Sequence, residues 1–251
     1  MKIDINADLG ESFGKYRLGN DEELMKYISS CNIACGFHAG DPSVIKKTVL
    51  LALENSVQIG AHPGYPDLMG FGRRNMDIEN DELFDIILYQ VGALKSITEA
   101  YGGVIRHVKP HGALYNTAAI NRKVAETICK AVKKIDDKIG IMGLSGSYLT
   151  EEATASGLIA VNEVFADRQY ENDGTLVSRK KPNSSIEDSQ LCLKRVIKMI
   201  KEGKVESIEN KIININAESI CIHGDGKKAI EFAKIINEGL FLNDIEIRSF
   251  I

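Results

Sequence analysis

Cys31 to Asp41, CNIACGFHAGD, reads as a short strand that stops at a histidine, two small residues and an aspartate. Ile33, Cys35 and Phe37 make one period-2 set; Asn32, Ala34, Gly36 and His38 make the other. Alternate residues of a strand face opposite sides, so one face is bulky and apolar and the other small or polar. Asp41-Pro42 then opens a helix, with the aspartate suited to the N-cap and the proline to the first turn. A strand feeding a helix is the βα unit of parallel sheets, and it predicts an enclosed polar face.

The pattern recurs. Ile3, Ile5 and Ala7 alternate with Asp4, Asn6 and Asp8; Val57, Ile59 and Ala61 alternate with Gln58, Gly60 and His62; Ile220 and Ile222 alternate with Cys221 and His223. His107, Lys109 and His111 share one parity. Four of the five histidines end a candidate strand with glycine one or two residues later: His38, His62, His111 and His223. Parallel strands closed into a barrel would gather these ends on one rim, where barrel enzymes place their chemistry.

Candidate strands begin near Lys2, Asn32, Val57, Val104, Ile139, Ile159 and Ser219, with a further one at Asp244 to Phe250. Amphipathic stretches alternate with them: 21–29, 42–54, 80–101, 121–135, 145–155, 185–201 and 227–237. This alternation predicts an α/β fold with a parallel sheet and right-handed crossovers. No linker or low-complexity segment interrupts it, so residues 1–251 are expected to form one β/α barrel domain. Two connections are longer than the geometry requires, Gly64 to Asn75 and Asp167 to Ser184, and both are candidate lids over the rim.

Hydrophobic content of 44% and charged content of 26% suit a globular protein, and a net charge of -4 gives no electrostatic reason to expect nucleic acid or a membrane surface. No apolar run approaches the ~20 residues of a membrane helix. Lys2 leads at once into strand residues and not into a leader, so the cytoplasm is the expected location. The five cysteines are scattered in apolar surroundings and are expected to be reduced and buried.

Asp8 ends the first strand on the inward parity, with Asn6 below it and Glu11 in the following loop. Unpaired acids do not stay buried, so Asp8 is a candidate general base or metal ligand. The histidines admit two readings. A mononuclear metal site would take two or three of them with Asp8. A metal-free site would use them as acid, base and oxyanion donors. His107 and His111 lie about 13 Å apart on a strand at ~3.3 Å per residue, too far for one ion without a bend at Pro110, which favours the metal-free reading. Lys109 shares the inward parity of His111, so its ammonium should face a carboxylate of the protein or the substrate. Glu163 and Asp167 share a parity at the end of the sixth strand, and Arg168, Arg73 and Arg74 are candidate clamps for an anion. No GxxxxGK[ST] is present; Gly143 to Ser147 and His223 to Lys227 are only short glycine turns that could cradle an anion.

The blocks NADLGE (6–11), NIACGFHAGD (32–41), GAHPGYPD with GFGRR (60–74), VKPHGALYN (108–116), EVFADRQY (163–170) and HGD (223–225) resemble the LamB/YcsF family, whose members belong to ATP-dependent 5-oxoprolinases as their A component. The resemblance spans nearly the whole chain. It implies a seven-stranded variant barrel like that of the sugar deacetylases. It implies opening of the lactam of 5-oxoproline to L-glutamate, with ATP as co-substrate, Mg2+ accompanying the nucleotide and no firmly expected bound metal. It also implies B and C subunits as partners. Asp8, His38, His62, Lys109, His111 and Glu163 are then the expected catalytic residues. Substrate contacts are expected from Asn6, Glu11, Asp41, Arg73, Asp167, Arg168, His223 and Asp225. The alternative is a stand-alone metal-dependent deacetylase or amidohydrolase on the same barrel.

Overall fold

The structure is a computed structural model that describes residues 1–222 and 229–250; His223 and Asp225 lie outside the described residues. In chain order it runs β1 (Lys2–Leu9), α1 (Asp21–Leu24), β2 (Ser30–Ala34), α2 (Pro42–Glu54), β3 (Gln58–His62), α3 (Asn80–Ala100), β4 (Ile105–Val108) and α4 (Gly112–Ile120). It continues with α5 (Arg122–Ile135), β5 (Gly140–Leu144), α6 (Tyr148–Ala155), β6 (Ala160–Phe165), α7 (Ser189–Glu202), β7 (Lys204–Glu206), β8 (Ile212–Asn214), β9 (Ser219–Cys221), α8 (Ala229–Phe241) and β10 (Glu246–Ile247). Among the described residues, no helix is long and apolar enough to cross a membrane.

Strands β1 to β6 pair in order and in parallel, β6 pairs with β9, and β9 returns to β1. The result is a closed seven-stranded parallel barrel wrapped by helices. The further strand expected near the end is only β10, which adds to the outer edge of β1 at Lys2 and Ile3. A hairpin of β7 and β8 stands apart from the barrel; its segments are too short to show a period in sequence.

Parity sorts the two faces. Ile3, Ile5, Ala7 and Leu9 of β1, with Cys31 and Ile33 of β2 and Ile59 and Ala61 of β3, are fully buried in the apolar core that includes helix residues such as Val49, Ile87 and Leu94. The opposite parity fills the barrel with polar side chains: Asp4, Asn6, Asn32, His107 and Ser219 are all buried. Asn32 pairs with Gly60, and Gly60 with His107, across the sheet. Gly60 is required there, because a Cβ would lie 2.1 Å from His107 Nε2. All five cysteines are free and buried.

Asp41 does not face the barrel mouth. It is the N-cap of α2, where Oδ1 accepts from the backbone N–H of Ser43 (2.8 Å) and Val44 (3.0 Å). Its Oδ2 accepts from Gly14 N–H (2.8 Å), and Asp21 Oδ2 accepts from Gly10 N–H (2.9 Å), so two aspartates pin both ends of the loop that carries Glu11. Asp41→Ala is expected to cost about 1 kcal/mol as a lost cap, a fall of about 2–4 °C in melting temperature for a chain of this size. Thermal denaturation by circular dichroism checks it, and an unchanged midpoint would refute the cap's contribution.

Candidate functional site

The polar interior rises in layers from the bottom of the barrel to its mouth. At the bottom, Asp4 accepts from Ser29 and Ser30 hydroxyls (2.6 and 2.7 Å) and from Ser219. Burial pushes its carboxyl above the ordinary value against those hydrogen bonds. Above it, Asn6 Nδ2 donates to Ser219 Oγ (2.8 Å) and Glu163 Oε1 (2.9 Å), while its Oδ1 accepts from Asn32 Nδ2 (2.8 Å). Asn32 Oδ1 lies 2.7 Å from His107 Nε2. Burial, with Lys109 beside it, lowers His107 to about 3, so its ring is a neutral packing element.

Lys109 occupies the centre. Its ammonium lies 2.7 Å from Glu163 Oε1, 3.0 Å from Asp8 Oδ1, 3.1 Å from Asn6 Oδ1 and 3.2 Å from Cys221 Sγ. Burial opposes the charge, but Asp8, Cys221 and Glu163 outweigh it and hold the ammonium protonated well above its ordinary range. Three N–H groups facing four acceptors leave none for a substrate carboxylate, so the expectation that Lys109 meets either a protein carboxylate or the substrate resolves to the protein.

At the mouth Asp8 is 17% exposed, and its Oδ2 lies 3.3 Å from His62 Nε2. Three imidazoles pack beside it. His38 and His111 stack with ring centroids 3.7 Å apart and nearly parallel planes, and His62 stands edge-on to both. Burial lowers His38 well below the ordinary imidazole value and His111 to about 3, with the neighbouring rings adding to the shift. Glu11 Oε1 lies 3.4 Å from both His38 Nε2 and His111 Nδ1. One ligand atom from each of Glu11, His38, His62 and His111 falls within 4.8 Å of all the others, so these four side chains could hold one metal ion.

Two glycines of the 60–74 block now have a reason. A Cβ on Gly64 would lie 2.7 Å from His38 Nδ1, and one on Gly72 would lie 2.8 Å from both His111 Cδ2 and His38 Cβ. Gln90 of α3 clamps the Gly64 peptide from behind: Nε2 donates to its carbonyl (2.9 Å) and Oε1 accepts from its N–H (3.0 Å). The 64–75 loop folds over the cluster so that the Phe71 carbonyl reaches His111 Nε2 (2.8 Å). Arg74 lines the cleft above the mouth, but its guanidinium pairs with buried Asp67, which also accepts from Gly70 N–H (2.9 Å) and so fixes this loop.

Over the mouth opens a cleft of about 780 Å³ lined by Asp8, Glu11, His62, Lys109 and His111 below and by Arg73, Arg168, Arg179 and Lys180 above. Cations outnumber acids on this lining, which suits an anionic ligand. Arg168 is buried, donating to the carbonyls of Val177 (2.5 Å) and Ser184 (3.4 Å), so it ties the 167–184 loop down where a free clamp was expected. Burial lowers it to about 10. Asp167 lies off the cleft lining, where its charge supports Arg168. Glu163 and Asn6 are buried beneath Asp8 and act by holding Lys109. Gly143 to Ser147 turns into α6 away from this cleft.

The LamB/YcsF family profile matches residues 3–251. A protein of Campylobacter jejuni named as the A component of 5-oxoprolinase is 56% identical, covering 98% of this chain and 97% of its own. One of the same name from Bacillus subtilis is 50% identical, covering 98% and 96%. The crystal structure of a lactam utilization protein from Thermus thermophilus superimposes with a TM-score of 0.94 at 42% identity, covering all of both chains.

Proposed function

The chain belongs to the LamB/YcsF family, and on that premise we propose that it is the A component of a 5-oxoprolinase, a hydrolase that opens a cyclic amide to an amino acid. The observation that carries the reading is the convergence of Asp8, Lys109 and three imidazoles beneath a cation-rimmed cleft. Opening the lactam of 5-oxoproline breaks its C–N bond, adds a water oxygen to the carbonyl carbon and puts a proton on the departing nitrogen. Asp8 is the group positioned to take the water's proton, because it lines the cleft while Glu163 lies buried below it. The imidazole cluster next to Asp8 is where an electrophile that supports the tetrahedral oxyanion would sit. The rim cations Arg73, Arg179 and Lys180 meet the substrate carboxylate.

A five-membered lactam is a resonance-stabilised amide with a poor leaving group, and its opening is not strongly downhill. Coupling to ATP, with Mg2+ carried by the nucleotide, supplies driving force and activation. The sequence lacks a P-loop, in keeping with B and C subunits that share in nucleotide use. An ATP co-substrate suits a reaction in the cytoplasm. The test is glutamate release from 5-oxoproline and ATP by this chain with and without the two partner proteins. Release only by the complete set is expected; no glutamate from any combination refutes the reading.

A further inference from the structure

Two backbone carbonyls fix the protons of two histidines at the mouth. Lys109 O lies 2.7 Å from His62 Nδ1, and Phe71 O lies 2.8 Å from His111 Nε2. A carbonyl only accepts, so each of these ring nitrogens carries an N–H. In neutral rings the remaining nitrogens, His62 Nε2 and His111 Nδ1, are bare lone pairs, and they face each other at 3.0 Å. The Glu11 carboxylate approaches the same spot, 3.4 Å from His111 Nδ1 and from His38 Nε2. Both nitrogens of buried His38 lack a hydrogen-bond partner among the described residues. Electron-rich atoms held this close repel one another unless a positive centre lies between them.

The spacing identifies that centre. Tetrahedral ligands at ~2.0–2.1 Å from a zinc ion stand about 3.4 Å from one another. The edges between these atoms are 3.0, 3.4 and 3.4 Å, and all four ligand atoms fall within 4.8 Å. Metal-bound histidines usually give their outer N–H to a carbonyl or carboxylate, which His62 and His111 do. Three imidazoles and one carboxylate suit a first-row transition metal better than Mg2+ or Ca2+, which prefer all-oxygen shells.

We propose that Glu11, His38, His62 and His111 bind one divalent transition-metal ion, with Zn2+ the best fit to the spacing. The rings of His38 and His111 stack nearly parallel, so binding one ion between them would require His38 to tilt towards it. Glu11, His62 and His111 also line the cleft, which leaves the ion accessible to a ligand from that side. The site deepens the reading of this mouth as the place of catalysis, and its test reads binding apart from turnover.

The full chain, stripped with a chelator and dialysed, is titrated with Zn2+ in competition with a chromophoric chelator and with Co2+ followed by its visible absorption. One equivalent of each ion is expected, with a Zn2+-dependent rise in melting temperature. His62→Gln and Glu11→Gln are expected to weaken Zn2+ binding at least tenfold; Glu11 sits on a loop, so its variant keeps the barrel intact, as far-UV circular dichroism would show. Sub-stoichiometric binding by the unmodified chain, or binding that both variants leave unchanged, overturns the proposal and leaves a shared proton as the positive centre. Stoichiometric, variant-sensitive binding without any glutamate release by the complete complex would instead remove the lactam reading and keep the ion site.

Discussion

Lys109→Met is expected to abolish glutamate formation and to lower stability by about 3–5 kcal/mol, the range seen when one partner of a buried ion pair is removed. Methionine matches the length and apolar stem of lysine, so the loss is that of the charge. Two carboxylates, Asp8 and Glu163, lie within 3.0 Å of that ammonium, and Asn6 and Cys221 complete its surroundings. Without it two neighbouring carboxylates are left facing each other with no cation between them. Urea denaturation should show a lower midpoint for the variant from about pH 5 to about pH 8. In the unmodified chain, Lys109 is held protonated well above its ordinary range, so its own contribution fades only in alkali. Equal stability of the two proteins across this range, with turnover within tenfold, would remove Lys109 from the centre of the site.

The barrel is legible in the sequence because strand parity is a local property. Alternation of Ile3, Ile5 and Ala7 with Asp4, Asn6 and Asp8 needs no tertiary information, and the glycines after His38, His62 and His111 mark turns at the rim. What stays hidden depends on the backbone or on distant partners. The carbonyls of Lys109 and Phe71 that set the histidine protons have no side-chain signature. Gln90 reads as part of a helical stripe, and only the fold brings it to the Gly64 peptide. Helix α4, GALYNTAAI, follows His111 directly and is apolar nearly all round, so it has no period to betray it. Glu11 reads in sequence as a substrate contact, and the metal-free reading rests on the distance from His107 to His111. That distance concerns one strand. The four-residue cluster draws on β3, the loop after β4 and two loops at the ends of β1 and β2, which only barrel closure brings together.

Asp8→Asn is the substitution that separates chemistry from architecture. The amide keeps an oxygen for Asn32 Nδ2, which lies 2.9 Å from Asp8 Oδ1, and for the Lys109 ammonium at 3.0 Å. The ammonium keeps Glu163 at 2.7 Å, so no buried charge is left unpartnered. Melting should therefore move little, in contrast to Lys109→Met. What the amide cannot do is accept a proton from water, and loss of a general base costs about 10²–10⁴-fold in rate. The fall belongs in kcat, with KM for 5-oxoproline nearly unchanged, because the rim cations proposed to meet its carboxylate are untouched. Zn2+ should still bind at one equivalent, since Asp8 stands outside the Glu11, His38, His62 and His111 set, with a smaller loss of affinity than His62→Gln causes. A variant that retains more than a tenth of the original kcat would move the base elsewhere, whereas one that loses both kcat and Zn2+ binding would make Asp8 a ligand instead of a base.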